Sequence, residues 1–359
     1  MHKMRIIYLL AMVFVLNKSE AQVYKYSNEF LSLGVGARAY GMGGAVISSV
    51  NDVTAGYWNP AGLVEITDNI QIGFMHNEQF AGIAKHDFGA ISFKLNNQSA
   101  LAVSLIRYGI DNIPNTLNLF QNGQIDYSRI TQFSAVDYAF IGSYARKLGN
   151  TGLSVGGNVK VIRRVVGEFA NAWGFGFDVA AKYTYKKWTM GAILKDATST
   201  FNAWQYTFSD ADKQILLGTG NQLPSNTLEI TLPRLLLGAS RKFVVYKQLV
   251  SIRPEACVDF TFDGKRNTYT GSSLGSMDSR LGLELGYKDF IYLRGGMSQF
   301  QEVKQIDGSK EFSFVPAIGV GLKLTNLSID YAISDVGSAS GTLPMSNIIS
   351  VRLNINRKN

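Results

Sequence analysis

Beyond residue 68 the chain alternates apolar and polar positions with a period of two. In residues 280–287, Leu281, Leu283, Leu285 and Tyr287 share one face, while Arg280, Gly282, Glu284 and Gly286 share the other. Residues 326–334 set Leu327, Ile329, Tyr331 and Ile333 against Ser328, Asp330, Ala332 and Ser334. Successive side chains of a strand point to opposite sides, so this pattern predicts strands with one apolar and one polar or small face. Fourteen such segments lie near residues 70–76, 85–95, 100–109, 136–147, 152–166, 173–185, 188–195, 233–243, 249–260, 279–287, 290–298, 313–324, 326–333 and 346–355. Many run to about 9–12 residues, the length at which a tilted strand crosses a bilayer.

The connections sharpen the picture. Tight turns at 96–99, 186–187, 288–289 and 325–326 alternate with longer loops at 110–135, 196–232, 261–278 and 299–312. Short turns on one side and long loops on the other predict a transmembrane barrel, all-β and antiparallel, spanning 70–359 with periplasmic turns and extracellular loops. An even strand count then places both termini in the periplasm. Tyr138, Tyr144, Tyr183, Tyr185, Trp188, Tyr287, Phe290 and Tyr292 stand at segment ends, where aromatic girdles are expected.

The opening residues place the chain in the export pathway. Lys3 and Arg5, an apolar run from Ile6 to Leu16, and small residues at Ser19 and Ala21 predict a signal peptide over 1–21. Removing Lys3, Arg5, Lys18 and Glu20 takes the net charge from +8 to +6 (three positive charges and one negative leave). That excess is scattered along the chain, which argues against a nucleic-acid partner. The expected localisation is the outer membrane of a Gram-negative bacterium, with outer-membrane lipid as the first partner.

The small face carries Gly156, Gly174, Gly176, Gly282, Gly286, Gly319 and Gly321. Glycines there either permit close approach of another backbone or relieve strain where the sheet curves. The first alternative requires something inside the barrel, and residues 22–69 are the candidate plug.

Little points to catalysis. His76 and His86 flank the first expected loop and read as exposed loop residues, with no ligand set for a metal. "GLSVG" (152–156) and "GSSLG" (271–275) lack the strand-to-helix context and the following histidine that a nucleophile elbow needs. Cys257 has no disulfide partner and reads as a buried apolar residue. No enzyme and no cofactor are expected.

Two stretches, "GVGARAYGMGGAV" (34–46) and "NDVTAGYWNPAGL" (51–63), resemble the N-terminal signature of the PorV/PorQ family of outer-membrane proteins. Asn59-Pro60-Ala61-Gly62 is also similar to the motif of FadL-type long-chain fatty acid transporters. The resemblance implies a 14-stranded barrel with an N-terminal plug. Its PorV/PorQ side implies a non-enzymatic accessory of type IX protein secretion, contacting the translocon or the signal domains of secreted cargo. Its FadL side implies the alternative, a channel for a hydrophobic small molecule or lipid with a lateral opening.

Carried onto this chain, the resemblance gives Gly34, Gly36, Gly41, Gly43 and Gly44 the task of turning the plug backbone against the barrel wall. Trp58 and Pro60 would anchor the exit of the segment, which closes on Gly62, and Asn59 would cap a turn. Arg38 would need a carboxylate, with Asp52, Asp178, Glu284 and Asp330 as alternatives, unless it reaches periplasmic water. Leu117, Leu119, Phe120, Phe201, Trp204 and Tyr206 are the candidate loop contacts for a partner or ligand. A break of the third strand near Tyr108-Gly109 would favour transport.

Overall fold

The computed structural model describes residues 27–121, 124–305, 307–334 and 346–356; the expected signal peptide lies outside them. Fourteen strands follow one another around a barrel: β1 (Ile70–Gln79), β2 (Ala84–Lys94), β3 (Ser99–Asn115), β4 (Thr131–Lys147), β5 (Leu153–Val166), β6 (Ala170–Tyr185), β7 (Trp188–Lys195, continued by Thr200–Tyr206), β8 (Thr227–Thr231, continued by Arg234–Arg241), β9 (Val250–Thr261), β10 (Ser276–Tyr287), β11 (Ile291–Lys304), β12 (Lys310–Lys323), β13 (Leu327–Ser334) and β14 (Ser346–Ile355). Neighbours pair antiparallel, and β1 pairs with β14 from Ile70 opposite Ile355 to Glu78 opposite Asn347, which closes the sheet. Closure leaves no strand edge, so the backbone's hydrogen bonds are met within the protein, as a hydrocarbon surround demands. No helix among the described residues is long and apolar enough to cross a membrane.

The alternation resolves as apolar outside and polar or small inside. On β3, Leu101, Val103 and Leu105 are exposed on the outer surface, whereas Ala102, Ser104 and Ile106 are buried. Phe140, Val159, Phe175, Phe177 and Leu293 continue the outer band.

Two expected loops are largely regular structure. β3 and β4 stay paired up to Asn115 opposite Thr131, so 110–135 is partly ladder. Residues 196–232 contain Thr200–Tyr206, a helix at Asp210–Gly218 and Thr227–Thr231. Beyond the apolar band an outward residue no longer has to be apolar, so the ladder continues while its sequence signature fades.

Residues 27–69 fill the lumen with short elements: 3-10 turns at Glu29–Ser32 and Pro60–Glu65, and helices α1 (Ala37–Gly41) and α2 (Ala55–Trp58). Val35, Met42, Val46, Ile47, Val50 and Leu63 are fully or almost fully buried between plug and wall. The plug is tight because glycines lie on both sides of the contact. A Cβ on Gly156 would stand 2.6 Å from Ala61 N, one on Gly282 would stand 2.7 Å from Met42 O, and one on Gly319 would stand 3.1 Å from Gly41 Cα. Gly296 meets the backbone of Met42 and Gly43 as well. Gly174, Gly176, Gly286 and Gly321 instead make room for side chains of neighbouring strands, such as Asn202 and Thr200. Close approach of the plug backbone therefore accounts for Gly156, Gly282 and Gly319, and room for neighbouring side chains for the other four.

Gly156→Val should lower the temperature at which the barrel loses its heat-modifiable gel migration, at a cost of about 1–3 kcal/mol. Gly142→Val, where a Cβ has nothing within 4 Å, should leave that temperature unchanged.

Candidate functional site

The tail of the plug motif is a packing device. Trp58 Nε1 donates to Val35 O at 2.8 Å, tying the two halves of the plug together. Asn59 accepts from Ala61 N at 3.1 Å, and its Nδ2 donates to Ile47 O at 3.0 Å and to Ala181 O of β6 at 3.3 Å. Pro60 opens the 3-10 turn, where its missing N–H costs nothing. Gly62 passes close under Val50 O. The five upstream glycines divide. Gly41, Gly43 and Gly44 press on β12, β11 and Arg280 of β10; Gly34 packs inside the plug against Trp58, and Gly36 lies against Thr54 while its N–H donates to Met75 Sδ of β1 at 2.9 Å. The expectation that all five touch the wall is corrected to four, with Gly34 alone packed inside the plug, because the motif also has to fold back on itself.

Arg38 meets Glu284. Its Nε lies 2.9 Å from Glu284 Oε2 and its Nη2 lies 3.3 Å from Oε1, with Ser49 Oγ also at 3.3 Å. The same carboxylate accepts from Arg294 Nε at 2.9 Å and from Arg253 Nη1 at 3.4 Å. Arg294 Nη1 continues to Asp330 at 2.7 Å, and Arg352 joins Asp330 at 3.8 Å to Asp52 of the plug. Burial alone would raise the Asp52 carboxyl, but Arg352 and Arg38 more than offset it and hold the group below the usual carboxylate range. Of the expected partners, Glu284 binds Arg38 directly. Asp52 and Asp330 belong to the same lattice, and Asp178 stands elsewhere, paired with Lys160 at 2.7 Å. The lattice borders a space of about 310 Å³ at the short-turn end of the barrel.

A second region lies against β7 and β8, where the wall is interrupted. β7 pairs with β8 up to Lys195 opposite Arg234, and pairing resumes at Thr200 opposite Thr231. Four residues (196–199) therefore face two (232 and 233), and Asp196 and Ser199 adopt positive φ of 54° and 60°. Pro233 brings no N–H to the gap. Inside, Asp196 is held by Lys160 Nζ at 2.5 Å and by Thr200 Oγ1 at 2.5 Å.

A narrow cavity of about 40 Å³ reaches this gap between the plug residues Asn28, Leu31 and Tyr57 and the run Ile230 to Arg234. Ile230 stands opposite lipid-facing Phe201, while its neighbour Thr231 binds Asn28 inside the barrel. The cavity thus touches both faces of one strand. Lys195 borders it, buried, with Nζ 3.8 Å from the centre of the Tyr57 ring.

The expected break near Tyr108-Gly109 is not where the wall gives way. β3 stays paired with β2 through Ile110 opposite Ala84, and its irregularity lies between Ile110 and Ile113. A strand defect made by positive φ at Asp196 and Ser199 has no motif by which the sequence reading could find it.

The candidate contact residues do not form one site. Phe120 pairs with Ile125 in a small hairpin, exposed, on the loop that also carries Leu117 and Leu119. Phe201 faces outward beside Phe175, with ring centroids 6.0 Å apart. Trp204 is buried inside under Arg164, with Tyr206 stacked on it. His76 is exposed and bonded to Asp87 at 2.6 Å. His86, expected in a loop, is fully buried on the inner face of β2. The two histidines point to opposite sides of the sheet, and no cluster of metal-ligating residues occurs among the described residues. Cys257 is buried, as expected.

The fold defines a plugged outer-membrane-type barrel. It is similar to solved structures of the FadL-like kind. The CymD monoaromatic hydrocarbon channel matches with a TM-score of 0.58 at 12% identity, covering 91% of this chain and 99% of that one. The Pseudomonas putida toluene transporter TodX matches with a TM-score of 0.57 at 14% identity, covering 93% and 100%. A Pseudomonas aeruginosa FadL homologue matches with a TM-score of 0.51 at 13% identity, covering 89% and 97%. No family model and no curated protein matches the chain. These likenesses show the barrel fold that the FadL side of the resemblance implies, and no finding supports its PorV/PorQ and type IX secretion side.

Arg38→Ala removes the plug's bonds to Glu284, which keeps Arg294 and Arg253, and should destabilise the plug by about 1.5–3 kcal/mol, read as earlier protease cutting within 27–69 while the barrel still migrates as folded. Asp52 has a depressed folded value, so its contribution is present above the unfolded carboxyl value of about 4 and is lost as pH falls through the folded one. Melting should therefore be flat near neutrality and fall in acid, and Asp52→Asn should lower the neutral plateau and reduce the acid loss.

Proposed function

We propose that this protein is a channel of the outer membrane that passes small hydrophobic molecules, leaving or entering the lumen sideways between β7 and β8. The observation that carries this reading is the cavity at the interrupted pair, lined by consecutive residues from both faces of β8. An apolar solute gains nothing from a water-filled axial pore. A gap in the wall lets it pass between lumen and bilayer while it stays in apolar surroundings. The plug blocks the straight path with buried apolar and ionic packing, which fits a lateral route. The solved relatives named as hydrocarbon channels and toluene transporters support the same solute class. In this orientation the long loops face outward and the short turns face the periplasm. The secretion-accessory reading draws only on the resemblance of 34–63, and those residues are spent on holding the plug.

Cells carrying the protein should take up radiolabelled toluene faster than cells without it. Ile230→Trp, which fills the gap, should return uptake to the level of cells lacking the protein with the barrel intact, whereas Val159→Trp on the lipid face should not change it. Equal uptake with and without the protein would sink the channel reading.

A further inference from the structure

Tyr40 of α1 stands between two very different surroundings. On one side is a space of about 230 Å³ towards the long-loop end, bordered by Tyr40, Trp58, Arg280 and Ser334. On the other is the inner wall of β14, β1 and β2, where four side-chain atoms find no hydrogen-bond partner: Ser346 Oγ, Asn77 Oδ1, Gln79 Nε2 and His86 Nε2. These residues are shut in, at 1%, 0%, 1% and 0% exposure. What holds the layer is the Tyr40 hydroxyl, 3.3 Å from Gly34 O, 3.4 Å from His86 Nδ1 and 3.4 Å from Asn77 Nδ2, all long contacts.

Further along the same seam, α1 and the wall enclose about 30 Å³ beside Gly36, Ala37, Met75 and Phe88. That space shares Arg38, Asp52, Asp330 and Arg352 with the short-turn space described above. A line of spaces therefore follows α1 from one end of the barrel towards the other, closed at the Tyr40 layer.

Buried amide, hydroxyl and imidazole groups without partners are unfavourable, and apolar residues would seal a permanently closed layer better. Their presence fits a wall that is wetted in a second state. His86 supplies the trigger. Facing it are Asn77 and Gln79 from β1, Tyr108 from β3 (ring centroids 6.0 Å apart) and Tyr40 from the plug. Ser346 lies at the same end of β14. The adjacent Asp87 points outward to His76, and no carboxylate pairs with His86 among the described residues. A proton on the ring would be an uncompensated charge in a closed layer, relieved when Tyr40 moves aside and water enters.

We propose that Tyr40 and His86 form an acid-opened gate in the seam between α1 and β14–β1–β2, linking the two end spaces of the barrel. Its use in admitting a solute rests on the channel reading, but its opening is read independently as ion flow. The full chain in planar lipid bilayers with potassium chloride should show an open probability that rises as pH falls from about 7.5 to about 5.5, by at most about tenfold per pH unit for one proton. His86→Gln and His86→Phe should remove the pH response, and Tyr40→Ala should conduct at both pH values. A pH response that survives in both His86 variants, or a folded Tyr40→Ala barrel that stays closed, would overturn the gate. PH-gated current without toluene uptake leaves the gate standing and removes the hydrocarbon reading. Toluene uptake with current that is flat in pH removes the gate alone.

Discussion

Glu284 is the charge on which the plugged state rests. One carboxylate on the inner face of β10 accepts from Arg38 of the plug and from Arg294 and Arg253 of the wall. Three guanidiniums around one acid are tolerable only because Arg294 is also neutralised by Asp330, which lies within ion-pair distance of Arg352, the partner of plug Asp52. Plug and wall thus pair charges of both signs, Arg38 of the plug with Glu284 of β10 and Asp52 of the plug with Arg352 of β14. Losing the plug would take Arg38 from Glu284 and Asp52 from Arg352, so the buried ion network is completed only when the plug is seated.

The rest of the lumen follows the same rule of reciprocal fit. Where the plug backbone comes closest, the wall is glycine, as at Gly156, Gly282, Gly296 and Gly319. Where the plug has a backbone donor to satisfy, the wall supplies an acid: Glu255 accepts from Ser48 N at 2.7 Å and from Ser49 N at 3.3 Å. Lys182 answers the other way, donating to Val50 O at 2.8 Å and to Glu65 at 2.7 Å. The lumen is a core with polar walls, packed and paired.

Two departures from that pairing bear on transport. At the β7–β8 interruption four residues face two, and a cavity reaches between the sheet faces. At the Tyr40 layer the wall offers polar atoms that the plug leaves unmet. Incomplete pairing of this kind lowers the cost of local opening.

Much of this architecture was legible in the residue pattern, because lipid outside and a packed lumen inside impose a period of two on each segment, and the alternation of short turns with long loops sets them around a membrane barrel. The signal was strongest inside the apolar band and lapsed above it, where the extensions of β3 and β4 and the upper pieces of β7 and β8 run through residues free of that demand. The glycine-rich stretch announced a packed segment, yet its spacing left Arg38 with four possible partners. Which acid it meets depends on how far around the barrel α1 is carried, a distance of 246 positions along the chain. The same holds for the wall defect at 196–199 and for His86, which pattern alone placed in a loop. Alternation reports which face a residue takes, since that follows from its immediate neighbours. What lies across the lumen is set by closure of the whole sheet, which brings distant strands into register only once the barrel has formed.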